Sequence, residues 1–130
     1  MTNYQNLPEL FFLKAKENLK NQHLLKINNT TNEIESWTWS DTLSSINKIY
    51  QFINSQNLHK EERVLLVSEN RPEWMSADIA IMSNQLIAVP NYITYTSRDF
   101  EHILNDSKPK GLIVSNKNLL DTVLIASKKI

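Results

Sequence analysis

The sequence contains no cysteine, which removes disulfides, thiolate nucleophiles, CxxC redox pairs and thiolate zinc sites and fits a reducing compartment such as the cytoplasm. Glycine occurs once, at Gly111. A loop that cradles nucleotide phosphates uses several glycines so that successive backbone N–H groups can approach the oxygens, and no stretch here has that composition. Charge of one sign is not in excess: 14 Lys and Arg balance 14 Asp and Glu, so no positive field exists to hold nucleic acid, and DNA and RNA are excluded as partners. No run approaches the ~18 apolar residues of a membrane span, so any membrane contact would be peripheral. The start, MTNYQNLPELFFLKAKENLK, lacks the basic leader and long apolar centre of an export signal. GxSxG, GxGxxG and HExxH are missing. His23, His59 and His102 are scattered without metal-ligand spacing and read as surface residues, and Glu61 and Glu62 before Arg63 read as a solvated turn.

What is present is a chain of 130 residues, 41% apolar, enough for one domain with a core. Asn6, Leu7, Pro8 and Glu9 form a helix start, and a helix to about Leu19 follows. Leu24, Leu25 and Ile27 before a polar NNTTN turn, with Ile34, Trp37 and Trp39 beyond it, predict a β-hairpin. Ser40 stands where an N-cap is expected for an amphipathic helix carrying Leu43, Ile46, Tyr50 and Ile53. From Arg63 the rhythm changes. The runs VLLV at 64–67, LIAV at 86–89 and GLIV at 111–114 lack alternation and predict parallel strands covered on both faces. A helix follows each one: the first apolar nearly all round through Trp74, Met75, Ala77, Ile79, Ile81 and Met82; the second with Phe100, Ile103 and Leu104 on its buried face; the third, from about Asn118, turning Leu119, Leu120, Val123 and Leu124 to the sheet. The fold class is α/β, with residues 1–62 a helix, hairpin and amphipathic helix and residues 63–130 a βαβαβα unit with right-handed crossovers.

Ligands of open α/β sheets gather beyond the carboxyl ends of the strands, which makes Asn70, Arg71, Asn91, Tyr92 and Thr94 the candidate cleft-lining residues, with Ser68, Glu69, Ser115 and Asn116 beside them. The junction SENRPEW reads first as a structural corner. Asn70 is placed to cap the helix with Glu73 reaching back as in a capping box, or Arg71 takes the cap position because Pro72 disfavours helical geometry before it. The rival reading sets Asn70 and Arg71 against a bound anion or polar ligand. In VPNYITYT, Pro90 ends a strand, Thr96 caps the next helix, and the two tyrosines either pack over the core or edge a pocket.

From TWSDTLSSINKIYQFINSQNL through ERVLLVSENRPEW, AVPNYITYT and ILNDSKPK, over about residues 34–118, the chain resembles the N-terminal region of adenylate-forming enzymes, most of all the long-chain fatty acyl-CoA synthetases. The resemblance implies a parent ligase that uses ATP and Mg²⁺ to convert a carboxylate to an acyl-adenylate and then passes the acyl group to coenzyme A. It places the phosphate loop, nucleotide contacts and catalytic lysine of that family beyond the matched region, so no catalytic, cofactor or metal residue is assigned here. The sequence departs from the family where glycines commonly precede the RV and AVP strands. It has Asn57 at the first turn and Asn84 with Gln85 at the second, and Asn tolerates left-handed backbone.

The leading expectation is therefore one incomplete N-terminal subdomain of an acyl-CoA synthetase, a scaffold inactive alone, whose partner is the remainder of the synthetase chain. A stand-alone binding or interaction module derived from that fold is the alternative, and an exposed sheet edge makes a homodimer a further partner to consider. A receiver-type domain ranks last, because only Glu69 supplies an acid at the first strand end.

Overall fold

The computed structural model describes residues 3–129. Helix α1, Leu7–Asn18, starts as expected: the Asn6 side chain accepts a hydrogen bond from the Glu9 N–H at 2.9 Å, and Pro8 occupies the first turn, where its missing N–H costs little. Strands β1, Gln22–Ile27, and β2, Ile34–Thr38, form the antiparallel hairpin, with Ile27 opposite Ile34. Helix α2, Trp39–Ser55, is capped by Thr38, two residues before the cap expected at Ser40, so Trp39 is helical rather than part of the hairpin. The cause is a capping box. Thr38 Oγ1 accepts from the Asp41 N–H at 3.1 Å while the Asp41 carboxylate accepts from the Thr38 N–H at 2.8 Å. Ser40 has Leu43 three residues on, which cannot reciprocate.

Strand β3, Arg63–Val67, helix α3, Pro72–Ser83, strand β4, Ile87–Asn91, helix α4, Ser97–Ser107, strand β5, Gly111–Val114, and helix α5, Lys117–Ser127, complete the order. The three strands are parallel and lie in the order β4-β3-β5, with Val64 opposite both Ala88 and Gly111. Alternation along β3 divides the core in two. Val64 and Leu66 pack with Ile46 and Ile53 of α2 and with Ala77, Ala80 and Ile81 of α3. Leu65 and Val67 pack with Phe100 of α4 and Leu119, Val123 and Ala126 of α5. Helices thus cover both sheet faces, and helix α2, from the segment before residue 63, shares one of these cores with β3 and α3 through Ile46 and Ile53.

Double coverage holds fully only for β3; β4 and β5 are the edges, and Ile87 is 44% exposed. Strand β4 also continues through Pro90 to Asn91 instead of stopping at the proline, since an edge strand tolerates a residue without an N–H on its free side. Leu124, expected to face the sheet, is 44% exposed, and Ala126 fills that position. At the two turns that lack the family glycines, Asn57 has φ 55° as expected, but at the second turn Gln85 (φ 60°) is left-handed while Asn84 (φ −82°) is not. Asn84 instead donates from Nδ2 to the Ala80 carbonyl at 2.9 Å and closes α3. At Gly111 the packing is close: a Cβ there would lie 3.3 Å from Val64 Cγ2, so the valine side chain would have to give by a few tenths of an ångström.

Candidate functional site

The carboxyl ends of the strands converge on the SENRPEW corner. Pro72, with no N–H and a ring that disfavours helical φ/ψ before it, leaves Arg71 extended at φ −152°, ψ 158°, and Arg71 is the N-cap of α3. Its side chain makes no cap bond, and the capping box expected between Asn70 and Glu73 does not form. Glu73 turns to the guanidinium instead, accepting from Nε at 2.8 Å and from Nη2 at 3.0 Å, while Nη1 lies 3.5 Å from Glu69. Glu69 in turn accepts a hydrogen bond from the Ser115 hydroxyl, joining the end of β3 to the end of β5. That bond holds the Glu69 carboxyl below its ordinary range, with Arg71 a smaller contributor; Arg71 does the same for Glu73. The Arg71 guanidinium is held more firmly protonated, chiefly by its hydrogen bonds to Glu73.

Three shallow clefts surround this network. One of about 440 Å³ is lined by Ser68, Glu69, Asn70, Pro90, Asn91 and Tyr92 with Trp74; one of about 230 Å³ lies between Arg71, Glu73 and Ser115; one of about 450 Å³ runs from Asn70 and Arg71 to β1. The structure therefore brings Asn70, Arg71, Asn91 and Tyr92 to cleft walls, while Thr94 is exposed and lines none of the three. Asn91 turns its Nδ2 to the Val89 carbonyl at 2.8 Å. The tyrosines divide the two roles expected of them: Tyr95 packs on Phe100 with ring centres 5.9 Å apart, and Tyr92, 71% exposed, edges the cleft. Trp74, assigned from the sequence to a core stripe, borders all three clefts, and the Ser115–Glu69 bond went unforeseen because 46 residues separate the partners.

His23 is not a free surface histidine. Its ring stacks on Trp39 with centres 3.8 Å apart and its Nδ1 lies at hydrogen-bond distance, 2.9 Å, from Thr42 Oγ1, which also lies 3.2 Å from the Thr38 carbonyl. Burial lowers its pKa. Among the described residues no group of three or more His, Asp or Glu is placed to hold a metal ion, and no helix is long and apolar enough to cross a membrane.

A three-stranded parallel sheet between helix layers, preceded by a hairpin, is the architecture of the N-terminal domain of acyl-CoA ligases. The chain superimposes over 98% of its length on a benzoate CoA ligase from Burkholderia xenovorans with TM-score 0.83 and 19% identity, covering 24% of that chain. It superimposes over 98% on the anthranilate CoA ligase AuaEII, in complex with anthranoyl-AMP, with TM-score 0.82 and 17% identity, covering 23% of that chain. In sequence it is 33% identical over 73 residues to fatty acyl-CoA synthetase A of Dictyostelium discoideum, a match spanning 56% of this chain and 11% of that protein. The model of the AMP-binding enzyme family matches residues 14–129, and the chain belongs to that family.

Proposed function

We propose that these residues are the N-terminal scaffold of an ATP-dependent fatty acid–CoA ligase. In the whole enzyme a fatty carboxylate attacks the α-phosphate of ATP, releasing pyrophosphate, and the acyl-adenylate then passes its acyl group to the thiol of coenzyme A, releasing AMP. ATP, Mg²⁺ and coenzyme A belong to that parent enzyme, which works in the cytoplasm or at the surface of a membrane. The likeness to the Dictyostelium synthetase supports the substrate class. The observation that carries the scaffold role is the closed chain Ser115–Glu69–Arg71–Glu73, in which the polar groups of the corner are committed to one another. Asn70, Asn91 and Tyr92 are the residues left to edge a cleft in the assembled enzyme.

Two measurements test this reading. The 130-residue chain alone, given ATP, Mg²⁺ and fatty acids of several lengths, is expected to show no pyrophosphate exchange above a blank, and exchange would refute the scaffold-only role. The polypeptide encoded by the whole reading frame is expected to form acyl-CoA. A stop codon directly after Ile130 would refute the ligase reading and leave the stand-alone interaction module.

A further inference from the structure

Along the hairpin Gln22 lies opposite Thr38 and Leu24 opposite Trp37, so His23 is the extra residue of a β-bulge. A bulge leaves its residue out of the ladder and re-aims the side chain. Here it turns the half-buried His23 ring between two helices. The ring stacks on Trp39 of α2, meets Phe11 of α1 edge-on with centres 5.7 Å apart, and sets Nδ1 2.9 Å from the hydroxyl of Thr42, which is fully buried. Phe11 also lies against Trp39, with centres 5.3 Å apart. One side chain thereby joins α1, the hairpin and the first turn of α2. The backbone adds two bonds at the same junction, from the Trp39 N–H to the Asn21 carbonyl and from the Ser40 N–H to the Leu19 carbonyl.

We propose that His23 is a proton-operated latch: as the neutral imidazole it clamps the base of the hairpin and α1 to α2, and on protonation the clamp loosens. The charged groups around the slot are committed elsewhere. On α1, Lys14, one turn from Phe11, is paired with Glu17 at 2.9 Å. On α2, Asp41 accepts from the Thr38 N–H and hydroxyl. On the hairpin Lys26 lies 3.9 Å from Glu35, and Lys20, between α1 and β1, is exposed. None of these is a cause of the histidine's lowered pKa, which burial alone produces. The indole face attracts a cation, but with no carboxylate in the slot the lost hydration of an imidazolium prevails. The stability lent by His23 is therefore complete above the unfolded value of ~6.5 and is lost as pH falls through the lower folded value. Strand β1 also walls the cleft that runs to Asn70 and Arg71, so release of the hairpin alters that cleft. The latch needs only α1, the hairpin and α2, whatever reaction the whole enzyme performs.

Hydrogen exchange read by mass spectrometry on the full-length polypeptide, from about pH 5 to about pH 8, tests the latch. Exchange of the imidazole C2 hydrogen of His23 gives its titration midpoint, expected below ~6.5. Amide exchange in a peptide covering residues 20–28, divided by the intrinsic rate at each pH, is expected to show protection about threefold lower or more at the acid end. His23→Gln keeps a hydrogen-bonding group, His23→Phe keeps a flat ring for Trp39, and neither titrates. Both are expected to hold their protection constant over the range. A midpoint at or above ~6.5 would overturn the proposal, because the stack on Trp39 would then favour the cation. So would wild-type protection that does not change with pH, or an equal fall in both variants. If neither variant folds, the midpoint and the protection of the unsubstituted protein decide the matter by the same criteria.

Discussion

Replacing Arg71 with alanine separates a structural corner from a ligand-binding one. The side chain of Arg71 keeps 29% of its surface in water and that of Glu73 keeps 40%, with 2.8 Å between Nε and the carboxylate. The pair thus falls between an exposed ion pair, worth ~0.2–1 kcal/mol, and charge-assisted hydrogen bonds, worth ~1.5–3 kcal/mol. We expect Arg71→Ala to cost about 1 kcal/mol at neutral pH, a fall of about 3–5 °C in Tm for a chain of this size. The loss depends on pH in a defined direction. Arg71 is the main cause of the lowered Glu73 pKa, and a carboxylate lowered on folding contributes stability that is present above its unfolded pKa and is lost as pH falls through the folded value. The gap between wild type and variant is therefore widest near pH 7 and narrows below the ordinary glutamate pKa of ~4.3. Glu69 retains its Ser115 bond and adds less to the difference. Thermal unfolding followed by circular dichroism across this pH range, with an Arg71→Ala and Glu73→Gln double-mutant cycle, measures both quantities. A gap equal at both ends of the range would refute the reasoning. So would a full-length variant with unchanged Tm and a raised KM for ATP or fatty acid.

Four further substitutions probe the fold. Gln85→Gly relieves a left-handed residue with φ 60° and is expected to raise stability by about 1 kcal/mol in urea unfolding, whereas Asn84→Gly, at φ −82°, lowers it by removing the bond to the Ala80 carbonyl. Asp78 is half-buried and burial raises its pKa, so its ionised form opposes folding above the folded pKa and that penalty vanishes as pH falls below the unfolded one. Asp78→Asn should accordingly be more stable than wild type at neutral pH by less than about 1 kcal/mol, and equal to it in acid, the reverse of the Arg71 trend in calorimetry. Phe100, fully buried between the sheet and α5, is expected to cost ~3–5 kcal/mol as Phe100→Ala, enough to unfold much of the protein in moderate urea.

Much of the architecture was legible because it is written in local chemistry. Asn6 before a proline-led turn, Thr96 before Asp99, and apolar runs at 64–67 and 111–114 each act over a few residues, and each element formed where those signals stand. The misplaced cap at Ser40 was a local competition decided by which hydroxyl had an acid three residues on. At SENRPEW, Pro72 favoured the extended Arg71 cap, and the salt bridge from Glu73 to Arg71 took the place of the box with Asn70.

What the sequence determined by itself was the succession of helices and strands, the parallel character of the sheet and the absence of a glycine-rich phosphate cradle, since backbone preference and side-chain period are short-range properties. Tertiary structure alone decided that β3 lies in the middle, that Leu124 faces water, that His23 stacks on Trp39, and that Ser115 closes the corner through Glu69. Those outcomes depend on which distant segments come to share a surface, and pairing across tens of residues leaves no periodicity in the chain from which to read it.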